Sequence, residues 1–123
     1  MTAEHLATVH GTAVMVCAPD GIPVDTEGAV VELLGEAIGL RARTVVVPAE
    51  RLTDDFFQLS TGIAHHIAQR FATYRVRLAV VGDISRQVAS SSPLRAWVDD
   101  ANRGQGMWFC GTFHEFQNRL RAQ

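Results

Sequence analysis

The sequence predicts an α/β fold: a single domain with a five-stranded mixed sheet and about four helices, in the order ββ-αβ-αβ-αβ-α. Three observations lead there. Short runs of β-branched and apolar residues recur at positions 12–18, 44–47, 76–81 and 107–110. Between them lie stretches whose apolar residues fall three and four apart, the spacing of an amphipathic helix. The 123-residue length suits one hydrophobic core, and no repeat, low-complexity stretch or linker divides it.

The elements follow in order. Residues 5–10 read as a short edge strand. Residues 12–18 (TAVMVCA) make a stronger one, closed by the turn sequence Pro19-Asp20-Gly21. Asp25 or Thr26 then caps a helix with apolar positions Val30, Leu33, Leu34, Ala37 and Ile38, and Gly39 suits its C-terminal end. Residues 44–47 are a β-branched run stopped by Pro48, the pattern of a buried strand. A loop with Asp54 and Asp55 leads to a helix over residues 56–73. Its stripe is Phe56, Leu59, Ile63, Ile67, Phe71 and Tyr74, and its polar side carries Thr61, His65, Gln69 and Thr73.

Residues 76–81 form the next strand and end at Gly82-Asp83. A serine-rich loop, 85–92, precedes a third helix with Ser92 as N-cap, Pro93 at its first position and Gly104 at its stop. Residues 107–110 are the last strand. Thr112 and Glu115 have capping-box spacing ahead of a final helix with the stripe Phe113, Phe116 and Leu120. Strands separated by helices become parallel neighbours through right-handed crossovers, so the runs at Thr44 and Val76 are central and the N-terminal strand is an antiparallel edge.

Composition narrows the function classes. Apolar residues make up 47% and charged residues 20%, a globular profile rather than a disordered one. Formal net charge is −2, and all eleven basic residues are arginines scattered along the chain without a basic run. That argues against nucleic acid as a partner. Residues 1–10 lack the apolar core of a signal peptide, and no apolar run is long enough to cross a bilayer, so the expectation is a cytoplasmic protein off the membrane. Cys17 and Cys110 sit in apolar runs and read as buried, reduced thiols; the five His and two Cys have no ligand spacing, so neither metal nor cofactor is expected. Trp97, Trp108, Phe113 and Phe116 read as core aromatics.

A family resemblance rests on particular strings. They are Phe56-Phe57-Gln58-Leu59-Ser60-Thr61-Gly62-Ile63-Ala64, Gln69-Arg70-Phe71 with Tyr74, Leu78-Ala79-Val80-Val81-Gly82-Asp83, and Asn102-Arg103-Gly104. Together they resemble the DUF4180 family over residues 14–120. The resemblance implies a fold and no established activity. The family pattern carries Gly and Glu where this chain has His65 and His66, which speaks against a family-wide histidine mechanism. In element order the chain is also similar to STAS domains of anti-sigma-factor antagonists. Those carry Asp-Ser-Ser-Gly at a helix start, with the first Ser phosphorylated; here the string is Leu59-Ser60-Thr61-Gly62, so this resemblance implies Ser60 or Thr61 as a switch, with Leu59 in place of the acidic residue.

In an open α/β sheet, ligands bind beyond the carboxyl ends of the parallel strands. Two loops, 48–62 and 82–92, reach that edge. The candidate ligand residues there are Ser60, Thr61, Gly62, Asp83, Ser85, Arg86 and Ser92, and Arg95 adds charge. Helix N-termini at that edge favour a small anion. Asp83 suits a ligand hook, a base or a cap for its own loop. His65 and His66 point about 100° apart on a helix and cannot act as a pair. Ser60 and Thr61 lack a nucleophile-elbow or S-x-x-K signature. Asn102-Arg103-Gly104 has the chemistry of a helix C-terminus.

Two readings stand at this point. One is a non-catalytic regulatory or small-ligand- or protein-binding module, acting through loops 48–62 and 82–92. The other is a small enzyme using Asp83 with Ser60 or His65 as acid/base groups. The position of Asp83 separates them. A homodimer is expected, because a short chain has few ways to cover both edges of such a sheet.

Overall fold

Four β-branched and apolar runs pair in parallel where helices separate them, and the first strand closes on the second as a hairpin. The computed structural model describes residues 5–123. β1 (His5–Val9) pairs antiparallel with β2 (Thr12–Val16), Val9 opposite Thr12. The two residues between them, His10 and Gly11, both have positive φ, 50° and 78°. That is the type I′ geometry whose twist matches the flanking strands. β3 (Thr44–Pro48), β4 (Arg77–Val81) and β5 (Met107–Cys110) complete a sheet of order β1-β2-β3-β4-β5. β2 to β5 run parallel to one another. The expected mixed sheet with an antiparallel edge is therefore present.

The crossovers carry α1 (Glu27–Gly39), α3 (Ile63–Thr73) and α5 (Ser92–Arg103). Crossovers of one hand that always step the same way put their helices on one face. The core shows this: Met15, Val45, Val47, Leu78, Val80 and Phe109 pack in one cluster with Leu33, Leu34, Ile67, Phe71 and Leu94. The opposite face holds Val14, Val46, Ala79 and Trp108, and it meets Phe116 and Leu120 of α6 (Phe113–Arg121). Cys17 lies on the first face and Cys110 on the second, both buried. Trp97 is only half-buried, edge-on to Phe109 with centroids 5.8 Å apart.

Four local readings of the sequence are corrected. The helix expected over residues 56–73 is broken into α2 (Asp54–Phe57), a 3-10 turn (Leu59–Thr61) and α3, with Gly62 between them at φ 78°. Phe56, Leu59 and Ile63 keep their spacing across the break, so periodicity alone cannot reveal it. Tyr74 lies past the end of α3 and is half exposed, outside the stripe. The serine-rich loop contains α4 (Ser85–Ala89), because Ile84 and Val88, four apart, pack against the core. Ser91 rather than Ser92 caps α5: its Oγ accepts from the Leu94 N–H at 3.2 Å, and Ser92 is the first helical residue.

The other caps also settle. Thr26 caps α1, accepting from the Ala29 N–H at 3.2 Å, while Asp25 is used elsewhere. Thr112 accepts from the Glu115 N–H at 3.1 Å, but the Glu115 carboxylate reaches the Gly111 N–H at 2.6 Å instead of the cap's own. Gly104 is extended rather than left-handed.

Gly39 stays inside α1, and the left-handed residue beyond that helix is Arg41, φ 58°. α3 ends identically, with Arg75 at φ 57°. In both, the left-handed N–H bonds three residues back (Arg41 to Ile38, Arg75 to Ala72), and the next N–H bonds five back (Ala42 to Ala37, Val76 to Phe71). This is the Schellman ending, whose left-handed position usually holds Gly. An arginine there costs about 1–2 kcal/mol of backbone strain.

Candidate functional site

The chain leaves β3 and β4 at the carboxyl edge of the sheet, and tethers set the course of both loops. The buried Arg51 donates from Nε to the Ile22 carbonyl at 2.7 Å and from an NH group to the Ala18 carbonyl at 2.8 Å. Asp25 accepts from both the N–H (2.8 Å) and the hydroxyl (2.7 Å) of Thr53. These bonds hold the segment after β2 against the segment after β3. Phe56 and Phe57 then anchor α2 in the core, ring to ring at 5.1 Å. After β4, Gly82 adopts φ 146°, and a Cβ built there would stand 2.9 Å from the Ala49 Cβ. The bare backbone of Gly82 thus lets the two loops touch.

Between these loops lies a cleft of about 660 Å³. Asp54, Gln58 and Ser60 line it from the first loop, and Arg86, Gln87, Ser90 and Ser91 from the second. Ser60 and Arg86, distant in sequence, are brought together here. The other candidates go elsewhere. Asp83 and Ser85 line a separate cleft of about 530 Å³ with Arg95 and Cys110. Thr61 and Gly62 line a third, about 560 Å³, with Asp25, Glu27 and His66. His65 borders a fourth, beside Trp97 and Asp100. Ser92 is exposed and borders none of these four.

The chemistry of each group follows from its partners. Asp83 accepts from the Ser85 N–H at 2.9 Å. The Ser85 side chain, and then that N–H, hold the Asp83 carboxyl below the usual carboxylate range. Asp83 therefore caps its own loop. The Thr61 hydroxyl donates within its own turn, to the Asp55 carbonyl at 2.7 Å with the Gln58 carbonyl at 2.8 Å. Burial pushes the Cys110 thiol up, away from the reactive thiolate. Glu27, at the start of α1, bonds Arg70 and the His66 ring, the latter at 2.5 Å, and these bonds hold its carboxyl down, Arg70 first. No group of three His, Cys, Asp or Glu among the described residues can hold a metal ion. No helix among them is long and apolar enough to cross a membrane.

A family profile described as a domain of unknown function, DUF4180, matches residues 9–120. The chain belongs to the DUF4180 family. No curated protein and no solved structure matches it. The DUF4180 strings quoted from the sequence fall on structural turning points. Phe56 and Phe57 anchor α2, Gly62 makes the break before α3, and Gly82 seats the second loop on the first. Asn102 is more than a helix end: its Oδ1 accepts from the Phe109 N–H at 2.7 Å, and its carbonyl accepts from Arg119, which ties α5 to β5 and α6.

Proposed function

We propose that this DUF4180 domain is a non-catalytic binding module whose ligand edge is the cleft between the loops after β3 and β4. The observation that carries this reading is the use of Asp83. The carboxylate best placed in sequence to act as a base caps its own loop, in a different cleft from Ser60 and from His65. An acid/base pair must reach one substrate atom, so residues in separate clefts do not make one. The cleft that does unite both loops offers hydroxyls, amides, the Arg86 guanidinium and the Asp54 carboxylate, groups that bind and orient a polar small ligand.

A second copy of the chain is the natural protein partner in this reading. β1 and β5 both leave an open sheet edge, and Val31 and Ile38, seven apart on α1, stay half exposed. Native mass spectrometry of the protein purified from its own cells tests the ligand reading. A co-purified small molecule is expected, lost in Ser60→Trp, which fills the cleft, and kept in Asp83→Asn. Loss in Asp83→Asn with retention in Ser60→Trp would overturn it.

A further inference from the structure

At the opposite edge of the sheet, the amino ends of β2, β3 and β4 surround a cavity of about 640 Å³. Arg43, Arg75, Arg77, Arg121 and His10 line it, and among the described residues no Asp or Glu side chain does. The Gln123 side chain also lines it. Four of the eleven arginines of a chain with net charge −2 therefore converge on one concavity that no acidic side chain among the described residues lines.

Arg77 is the most constrained of them. It is half-buried, its guanidinium lies 3.9 Å from the Trp108 ring centre, and Arg119 stacks on the same ring at 4.3 Å. Its hydrogen bonds go to neutral acceptors only: the Gln105 carbonyl at 2.8 Å and the Gln123 and Gln105 side-chain oxygens at 2.6 and 3.3 Å. Burial, with the like charges of Arg119 and Arg43, lowers its pKa from the ordinary arginine value. A half-buried cation beside other cations, with no Asp or Glu among its hydrogen-bond partners in the described residues, is a charge that a bound anion would neutralise.

Backbone conformation points the same way. His10 and Arg75, both lining the cavity, have positive φ. At Arg75 the Schellman ending would accept Gly without strain, yet the chain keeps a guanidinium there. We propose that this amino-edge pocket binds a phosphorylated small molecule carrying two or more negative charges. Guanidinium forks pair with phosphate oxygens two at a time, and several of them exceed what a single carboxylate neutralises. The concavity's volume of about 640 Å³ suits a small ligand. This site is independent of the carboxyl-edge cleft.

Isothermal titration calorimetry of the intact chain with pyrophosphate and with ATP tests it, at near-physiological salt. Binding that weakens as salt rises is expected. It should fall at least tenfold in the double variant Arg75→Gln/Arg121→Gln, whose two positions are exposed and whose melting should stay within a few degrees of wild type. Arg86→Gln, at the other edge, should bind as wild type does. Absence of binding to both compounds, equal binding by the double variant, or an equal loss in Arg86→Gln would overturn the proposal. A single-stranded oligonucleotide that displaces ATP at lower concentration than pyrophosphate does would overturn the small-molecule assignment.

Discussion

Replacing Gly82 and Gly35 each by alanine should change stability in opposite directions, although both substitutions add one methyl group. Gly82 sits at φ 146°, and its new Cβ would stand 2.9 Å from the Ala49 Cβ, which belongs to the neighbouring loop. Backbone of that kind costs an L-residue about 1–3 kcal/mol, and the crowding adds to it. Lower entropy of the unfolded chain returns only about 0.4–1 kcal/mol. The expected net loss is about 2 kcal/mol. Gly35 lies inside α1, exposed, with nothing within 4 Å of its Cβ position. There alanine removes the helix penalty of glycine and should stabilise by about 0.5–1 kcal/mol. For a chain of this length 1 kcal/mol moves Tm by about 4 °C. Thermal melts followed by circular dichroism should therefore show Gly82→Ala about 8 °C below wild type and Gly35→Ala about 2–4 °C above it. Gly82→Ala melting with the wild type, or Gly35→Ala falling as far as Gly82→Ala, would refute the role given to the Gly82–Ala49 contact.

Three further outcomes are expected. Phe71→Ala should cost about 3–5 kcal/mol in urea melts, since Phe71 is 1% exposed in the larger cluster; a loss under about 1 kcal/mol would remove it from the core. The Asp83 carboxyl is held down in the folded state, so its contribution is present above its unfolded pKa and lost as pH falls through the folded one. The Tm gap between wild type and Asp83→Asn should hold from neutral pH down to about pH 4 and narrow below it; a gap that is flat down to pH 2 would contradict the cap. Sedimentation equilibrium should show a homodimer, and a monomer throughout the micromolar range would count against the open edges as an interface.

The sheet was legible in the sequence because its strands are short β-branched and apolar runs between helices, a pattern that fixes both type and order. The break at Gly62 was not. Phe56, Leu59 and Ile63 pack into the same cluster on both sides of it, so their spacing mimics one helix. At the carboxyl edge the candidate residues were near one another in sequence but were divided among several clefts, because adjacent side chains on tight turns point different ways. The amino-edge arginines failed in the opposite sense. They look scattered until the two helix endings are superposed, when Arg41-Ala42-Arg43 before Thr44 and Arg75-Val76-Arg77 before Leu78 become one repeated pattern. In each, the buried middle residue fixes the pair at the sheet edge.

The strand order β1-β2-β3-β4-β5 also bears on how the protein is made. Each strand pairs with the one synthesised just before it, so no strand has to wait for a distant partner or be inserted between two others. The sheet can grow one unit at a time as the chain leaves the ribosome, each crossover helix settling on the same side. Only α6 breaks that sequence, by turning to the far face, where Phe116 and Leu120 cover Trp108 and Val46. Until α6 is released, that face of the nascent sheet is bare apolar surface, and a chaperone engaging this protein during synthesis would find it there.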